Sequence, residues 1–295
     1  MMQNNNFTLI NSQTGNLAFK IYHLEKGNPF DHIQRLNYYS LIWIQKGKGI
    51  LKADFSEYDF NENTLLSFSP YQPFMLSPKT DISGVIIHFH PDFFCIHKHH
   101  KDVACHGVLF NNIYSSPMVQ VEEKTTANFE MIIEQFKDEI KKSALAQYEL
   151  LISYLKIFLI TASRLKTAQQ TKENTATNNT EETPFILQNL KNYIETHYKT
   201  KHSANEYAKM LAITPKALTK LTKTHFNKTL TNLISERIII EAKRELYLTN
   251  KTIKEIAYEL GYDDQYYFSR FFKKNVDISP QLYRETVGFN KASAG

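Results

Sequence analysis

Residues 252–274 read TIKEIAYELGYDDQYYFSRFFKK. Thr252 followed by Glu255 is a capping box, in which the two side chains satisfy each other's otherwise orphaned backbone N–H groups, so a helix starts there. Ile253, Ile256, Ala257 and Leu260 recur at helical spacing and form its inward stripe. Gly261 suits the left-handed position that ends a helix. Asp263 is placed to cap the next helix. In that helix Phe268 and Phe272 point inward, which leaves Gln265, Tyr266, Ser269, Arg270 and Lys273 outside. The stretch therefore reads as helix, tight turn, helix.

The same pattern stands earlier in the chain, in SANEYAKMLAITPKALTKLTKTHF (203–226). Ser203 with Glu206 is a second capping box. Tyr207, Ala208 and Leu211 face inward, and the helix is expected to stop near Ala212–Ile213. Thr214 caps a new helix with Pro215 at its first position, where a missing N–H does no harm. Leu218 and Leu221 are read as inward, which puts Lys216, Thr219, Lys220 and Lys223 on the outer face. A long helix from about Leu230 to Thr249 joins the two units, and the amphipathic FILQNLKNYIETHY (185–198) precedes them. The C-terminal region is thus expected to hold two helix-turn-helix units in tandem.

Charge follows the same division. The net charge is +5. Residues 184–295 hold 18 Lys/Arg and 11 Asp/Glu, net +7, whereas residues 1–183 hold 17 and 19, net −2. The asymmetry points the C-terminal part at a polyanion. Residues 166–183, KTAQQTKENTATNNTEET, contain almost no apolar side chain larger than alanine and read as a flexible linker.

Before the linker the period is different. Short β-branched and aromatic runs at Tyr39–Gln45, Gly49–Asp54, Thr64–Ser69 and Gly84–His90 read as strands. KGKG (46–49) and the Pro/Ser-rich SPYQPFMLSPKTD (69–81) are read as separating them, which points to a small β-barrel or sandwich. From Thr125 to Lys166 helical spacing returns. Phe129, Ile132, Ile133, Phe136 and Ile140 form one stripe, and Leu151, Ile152, Leu155, Phe158 and Leu159 another, with a break expected near Lys142–Ser143. The fold class is therefore α+β.

The run EAKRELYLTNKTIKEIAYELGYDDQYYFSRFFKKNVDISPQLYR (241–284) resembles the signature of AraC/XylS-type transcriptional regulators. The likeness extends back to about Phe185. The N-terminal half is similar to that family's sensory half, a cupin-like β-barrel followed by dimerising helices. The resemblance implies a sensory and dimerisation domain over 1–165, the linker over 166–183, and an all-α DNA-binding domain over 184–295. It also implies a sequence-specific transcription regulator, modulated by a small molecule in the barrel, with double-stranded DNA, a second copy of the chain and RNA polymerase as partners. There are departures from the family pattern. Asn227 and Asp277 stand where glycine usually follows each recognition helix, Thr222 where a large aromatic residue is usual, and Phe74 where a histidine is usual.

The outer faces fit DNA. Arg and Lys bond guanine and Gln pairs with adenine in the major groove. Lys216, Thr219 and Lys220 together with Gln265, Ser269 and Arg270 are the expected base readers, with Tyr266 beside them. Lys223, Lys273 and Lys274 are expected on phosphates.

A second stretch carries chemistry of another kind. HFHPDFFCIHKHHKDVACH (88–106) holds six of the 11 histidines and both cysteines. His88 and His90 share a strand face, and Pro91 and Asp92 are placed to open a short helix carrying Cys95, His97, His99 and His100. Such residues are metal ligands. Against that reading, no standard zinc spacing is present, Cys105 and His106 are adjacent, and Lys98 and Lys101 add positive charge. No metal or other cofactor is expected.

The N-terminus lacks the basic start and apolar run of a signal peptide. LLISYLKIFLI (150–160) is broken by Lys156 and too short to span a bilayer. Two cysteines make no disulfide framework. A cytoplasmic location is expected, without membrane contact. No nucleophile–base constellation or phosphate-binding glycine loop is present, so the chain is not expected to be an enzyme. Two alternatives stay open: a regulator whose barrel is only a dimer scaffold, and a cupin-type metalloprotein fused to a DNA-binding domain.

Overall fold

A computed structural model of the chain describes residues 6–12, 14–25, 27–99, 107–142, 144–176 and 182–287. The chain divides into one unit of Met1–Asn112 with Ser116–Gln170 and another of Ile113–Ser115 with Thr171–Gly295. It is a mixed α+β protein, rich in strands in its N-terminal region and helical in its C-terminal region.

The first unit contains β1 (Asn6–Ile10), β2 (Leu17–Leu24), β3 (Tyr39–Lys46), β4 (Gly49–Ala53), β5 (Ser56–Phe60), β6 (Thr64–Phe68), β7 (Phe74–Pro78), β8 (Ser83–Phe89) and β9 (Met118–Gln120). They pair antiparallel in two sheets, β1-β2-β8-β3-β6-β9 and β5-β4-β7. Two helices follow, α1 (Glu123–Lys141) and α2 (Gln147–Ala176).

The central strands β3, β6 and β8 are covered on both faces. On one side Leu41, Trp43, Val85 and Ile87 share a core with Phe129, Ile133, Phe136, Leu155 and Phe158 of α1 and α2. On the other, Ile42, Ile44, Leu66, Phe68 and Ile86 meet Leu51, Phe60, Phe74 and Leu76, mostly from the smaller sheet. Strands buried on both faces read as continuous apolar runs, and these are the ones the sequence makes visible. Gly84 is required where β8 crosses β3, because a Cβ there would sit 2.0 Å from the Trp43 carbonyl oxygen.

Several expectations need correction. Among the described residues the strands form two separate sheets, not one closed barrel. Large inward side chains such as Phe60, Phe68 and Phe74 fill the space between the sheets. β7 lies inside the Pro/Ser-rich stretch read as a separator; Phe74 pulls it in by stacking on Phe68 at 3.9 Å. Residues 166–176 belong to α2, and α3 (Glu182–His197) begins before residue 183, so the expected flexible linker is helical at both ends. Ala, Gln, Lys and Glu favour helix without needing a core to bury against, so low apolar content excludes burial rather than helix. The apolar run of α2 packs Leu151, Leu155, Phe158 and Leu159 inward. No helix among the described residues is long and apolar enough to cross a membrane.

The second unit holds α3 and then α4 (Ala204–Met210), α5 (Pro215–Phe226), α6 (Leu230–Leu248), α7 (Ile253–Glu259), α8 (Gln265–Val276) and α9 (Pro280–Val287). Both capping boxes form, Ser203 with Glu206 and Thr252 with Glu255. Thr214 accepts from the Ala217 N–H, with Pro215 at the first helical position. Arg284 of α9 donates to the carbonyl of Leu246 at 3.1 Å, one of those the end of α6 leaves open, and to that of Lys251 at 2.6 Å in the turn before α7.

Candidate nucleic-acid interface

The helices α5 and α8 follow a common plan. Each starts from a side-chain cap, Thr214 for α5 and Asp264 for α8. The cap of α8 is thus Asp264, one residue beyond the expected Asp263; its carboxylate accepts from the Tyr266 N–H at 2.7 Å. Each helix ends on a left-handed residue, Asn227 with φ 55° and Asp277 with φ 73°. These are the non-glycine residue types that tolerate that conformation best, so the turn survives the departure from glycine.

Each helix buries one i, i+4 row: Leu218, Thr222 and Phe226 in α5, and Phe268, Phe272 and Val276 in α8. Leu221, read as inward, is half-buried, because the row through Leu218 passes through Thr222 instead. Leu211 and Ile253 are likewise half-buried.

The opposite faces are open. Lys216, Thr219, Lys220 and Lys223 are exposed on α5, and Tyr266, Arg270, Lys273 and Lys274 on α8. Gln265 and Ser269 are half-buried. The hydroxyls of Thr219 and Ser269 donate to the carbonyls of Pro215 and Gln265, at 2.9 and 2.8 Å, so each is left as an acceptor. Tyr267, which sequence reading passed over, is 57% exposed, and its ring lies 5.9 Å from the Arg270 guanidinium. The spacing from Tyr267 to Arg270 was the available signal, since residues three apart share a helix face.

This face gathers six basic side chains on two helices. Among the described residues no carboxylate lies within ion-pair distance of Lys216, Lys220, Lys223, Arg270, Lys273 or Lys274. Elsewhere in the unit Lys201, Lys228, Arg237, Arg244 and Lys251 are matched by carboxylates, whereas Lys191, Lys199, Lys209 and Lys254 have none within ion-pair distance among the described residues. Arg237 pairs with Glu195 at 2.7 Å, Arg244 with Glu241 at 2.7 Å, and Lys251 with Glu259 at 2.6 Å. Burial alone would raise the Glu241 carboxyl, but the adjacent Arg237 and Arg244 hold it below the ordinary range.

The histidine stretch does not assemble as a metal centre in the described residues: no group of three or more His, Cys, Asp or Glu side chains is placed to hold an ion. His88 and His90 do share a face, both 2% exposed. Beyond them Pro91–His99 forms turns, not the expected helix. Cys95 accepts from the Lys98 N–H, and His99 stacks on Phe94 at 4.8 Å. His97 is half-buried in the same turns, and His100, Cys105 and His106 lie outside the described residues.

His88 is held instead by Ser40 and Tyr22. Burial, with the charge of Lys20 adding to it, holds its imidazole down at about 3. The folded chain therefore keeps His88 neutral where the unfolded chain takes up a proton near 6.5. Stability is full above about pH 6.5 and falls as the pH drops towards 3. The expected loss is about 1.4 kcal/mol per pH unit. Urea midpoints of the first unit measured from about pH 6.5 down to 5, above most carboxylate titration, are expected to fall. His88→Gln is expected to flatten that slope; equal slopes in both proteins would rule out this source of acid sensitivity.

Residues 207–286 match the profile of a helix-turn-helix domain family. The HTH-type transcriptional activator Btr of Bacillus subtilis is 35% identical over 89 residues, which are 30% of this chain and 17% of Btr. The regulatory protein SoxS of Escherichia coli is 32% identical over 102 residues, 35% of this chain and 95% of SoxS. Among solved structures, the C-terminal domain of AraT, a response regulator from Geobacillus stearothermophilus, is 29% identical with a TM-score of 0.35; the match covers 37% of this chain and 91% of that domain. The chain thus spans only part of some relatives, Btr above all, and nearly the whole of SoxS.

Proposed function

Because the chain belongs to the AraC/XylS-type family of transcriptional regulators, we propose that it binds double-stranded DNA in a sequence-specific way and regulates transcription. The observation that carries this reading is the concentration of six exposed cations on α5 and α8 that no carboxylate among the described residues neutralises. Phosphates would supply the missing partners.

In this reading α5 and α8 are the recognition helices of two helix-turn-helix units held by α6. They enter successive major-groove segments about one helical turn apart, so each protomer reads an asymmetric site of about two turns. Lys216, Thr219, Lys220, Gln265, Ser269 and Arg270 read base edges, with Tyr266 beside them. Lys223, Lys273 and Lys274 hold phosphates. The residues up to about 165 form a cupin-like sensory and dimerisation domain that pairs two copies through its helices and binds a small effector. Residues 184–295 do the reading, residues 166–183 connect the two, and RNA polymerase is a further partner.

Selecting bound sequences from a random DNA pool tests the reading, and two substitutions test the assignment. Arg270→Ala is expected to weaken binding by about 1–3 kcal/mol and to relax preference at one base position. Lys274→Ala is expected to weaken all sequences alike and to reduce the salt slope by about one. Unchanged affinity and preference in Arg270→Ala would remove α8 from the interface.

A further inference from the structure

A polar cluster on the face of the large sheet opposite α1 and α2 is not used by DNA reading. Lys20, His88 and Ser40 are direct cross-strand neighbours on β2, β8 and β3. Tyr22, two residues beyond Lys20, points to the same face. The Ser40 Oγ lies 3.0 Å from His88 Nδ1, and the Tyr22 hydroxyl 3.2 Å from His88 Nε2. The Tyr38 ring lies 4.5 Å from the imidazole. Ser40 and His88 are buried, while Lys20, Tyr22 and Tyr38 are half-buried. Thr8, opposite Lys20 on the edge strand β1, is exposed, so the cluster opens to solvent on that side.

Two features make this an unfinished site. First, the Lys20 ammonium sits 4.6 Å over the Tyr22 ring, with no carboxylate within ion-pair distance among the described residues. Second, the hydrogen-bond chain has a free end. A neutral imidazole has one donor and one acceptor nitrogen. When Nδ1–H donates to Ser40, Nε2 takes the Tyr22 proton. When Ser40 donates to Nδ1, Nε2–H donates to the Tyr22 oxygen, and the phenol proton is left to donate outwards. An anionic oxygen beside Lys20 selects this second setting and receives a charge-assisted bond from each group. The aromatic faces of Tyr22 and Tyr38 offer an apolar bed next to it. One ammonium, with no second cation in the cluster, matches a single negative charge.

We propose that Lys20, Tyr22, His88 and Ser40 form a binding site for a small organic monocarboxylate, whose charged end meets Lys20 and Tyr22 and whose apolar body rests on the tyrosine rings. The site names the chemical class of the effector, and in that respect it rests on the reading of the N-terminal half as a sensory domain.

The test is titration calorimetry of the full chain with benzoate and hexanoate, against neutral benzamide and hexanamide. Saturable binding of a carboxylate and none of its amide is expected. Lys20→Met should weaken it by about tenfold or more, the loss of one charge-assisted bond, and Tyr22→Phe by less. Lys20→Arg keeps the charge and should bind much as the unaltered chain does, which separates loss of the site from loss of folding. Failure of both carboxylates to bind, or equal affinity in Lys20→Met, overturns the proposal. Operator binding measured with and without benzoate addresses the sensory reading separately. Bound carboxylate with no effect on DNA affinity would strike that reading and leave the site standing.

Discussion

Gly261→Ala is expected to destabilise the second unit by about 3–5 kcal/mol, with DNA binding lost alongside. Gly261 ends α7 at φ 83°, and a Cβ there would lie 1.7 Å from the Lys199 carbonyl oxygen. That atom is backbone, so no side-chain rotation relieves the overlap; the segment after α3 must move away from the turn. Left-handed strain adds about another 1 kcal/mol. Gly107 provides the control. It also has positive φ, 74°, but among the described residues nothing stands within 4 Å of its added Cβ. Gly107→Ala should therefore show the strain alone, about 1 kcal/mol. Urea unfolding followed by circular dichroism compares the two. Equal midpoints would mean that close approach at Lys199 does not constrain the turn.

Phe272→Ala is expected to cost about 3–5 kcal/mol through the cavity left in the second unit. The ring is fully buried, 6.1 Å from Phe268 and 5.8 Å from Tyr283, so it ties α8 to α9. The corresponding place in α5 is Thr222, equally buried, with a hydroxyl that donates to the carbonyl of Thr219 on its own helix. Thr222→Ala removes little volume and should cost about 1 kcal/mol. Thermal melts of the two variants are expected to differ by several degrees or more. Similar melts would show that α9 does not depend on the aromatic contact.

The candidate interface was legible because it is built from local rules. Caps and inward rows lie within a few positions of one another, so Ser203, Thr214, Thr252 and Phe268 could be assigned from spacing alone, while Asn227 and Asp277 were placed by the family resemblance. The errors there are single-residue slips, Asp264 for Asp263 and Thr222 for Leu221, which helical spacing does not resolve. Tyr267 was missed because an aromatic residue in an aromatic-rich helix does not by its type declare whether it is buried or exposed.

The surroundings of the histidine stretch were not legible, for the opposite reason. His88 is satisfied by Ser40 and Tyr22, 48 and 66 positions away in the chain. Nothing in the local pattern names those partners.

The amino-acid sequence by itself determined the helical region, its caps, its charge and its exposed cations, since each depends on residues within one or two helical turns. Strands buried on both faces, β3, β6 and β8, were also determined, because double burial demands an unbroken apolar run. Only the tertiary structure decided the rest. It put β7 into a sheet through the stacking of Phe74 on Phe68. It also set Lys20, His88 and Ser40 side by side. The physical reason is that strand pairing is long-range: register decides which distant side chains share a face, and register is set by the whole sheet rather than by any one strand.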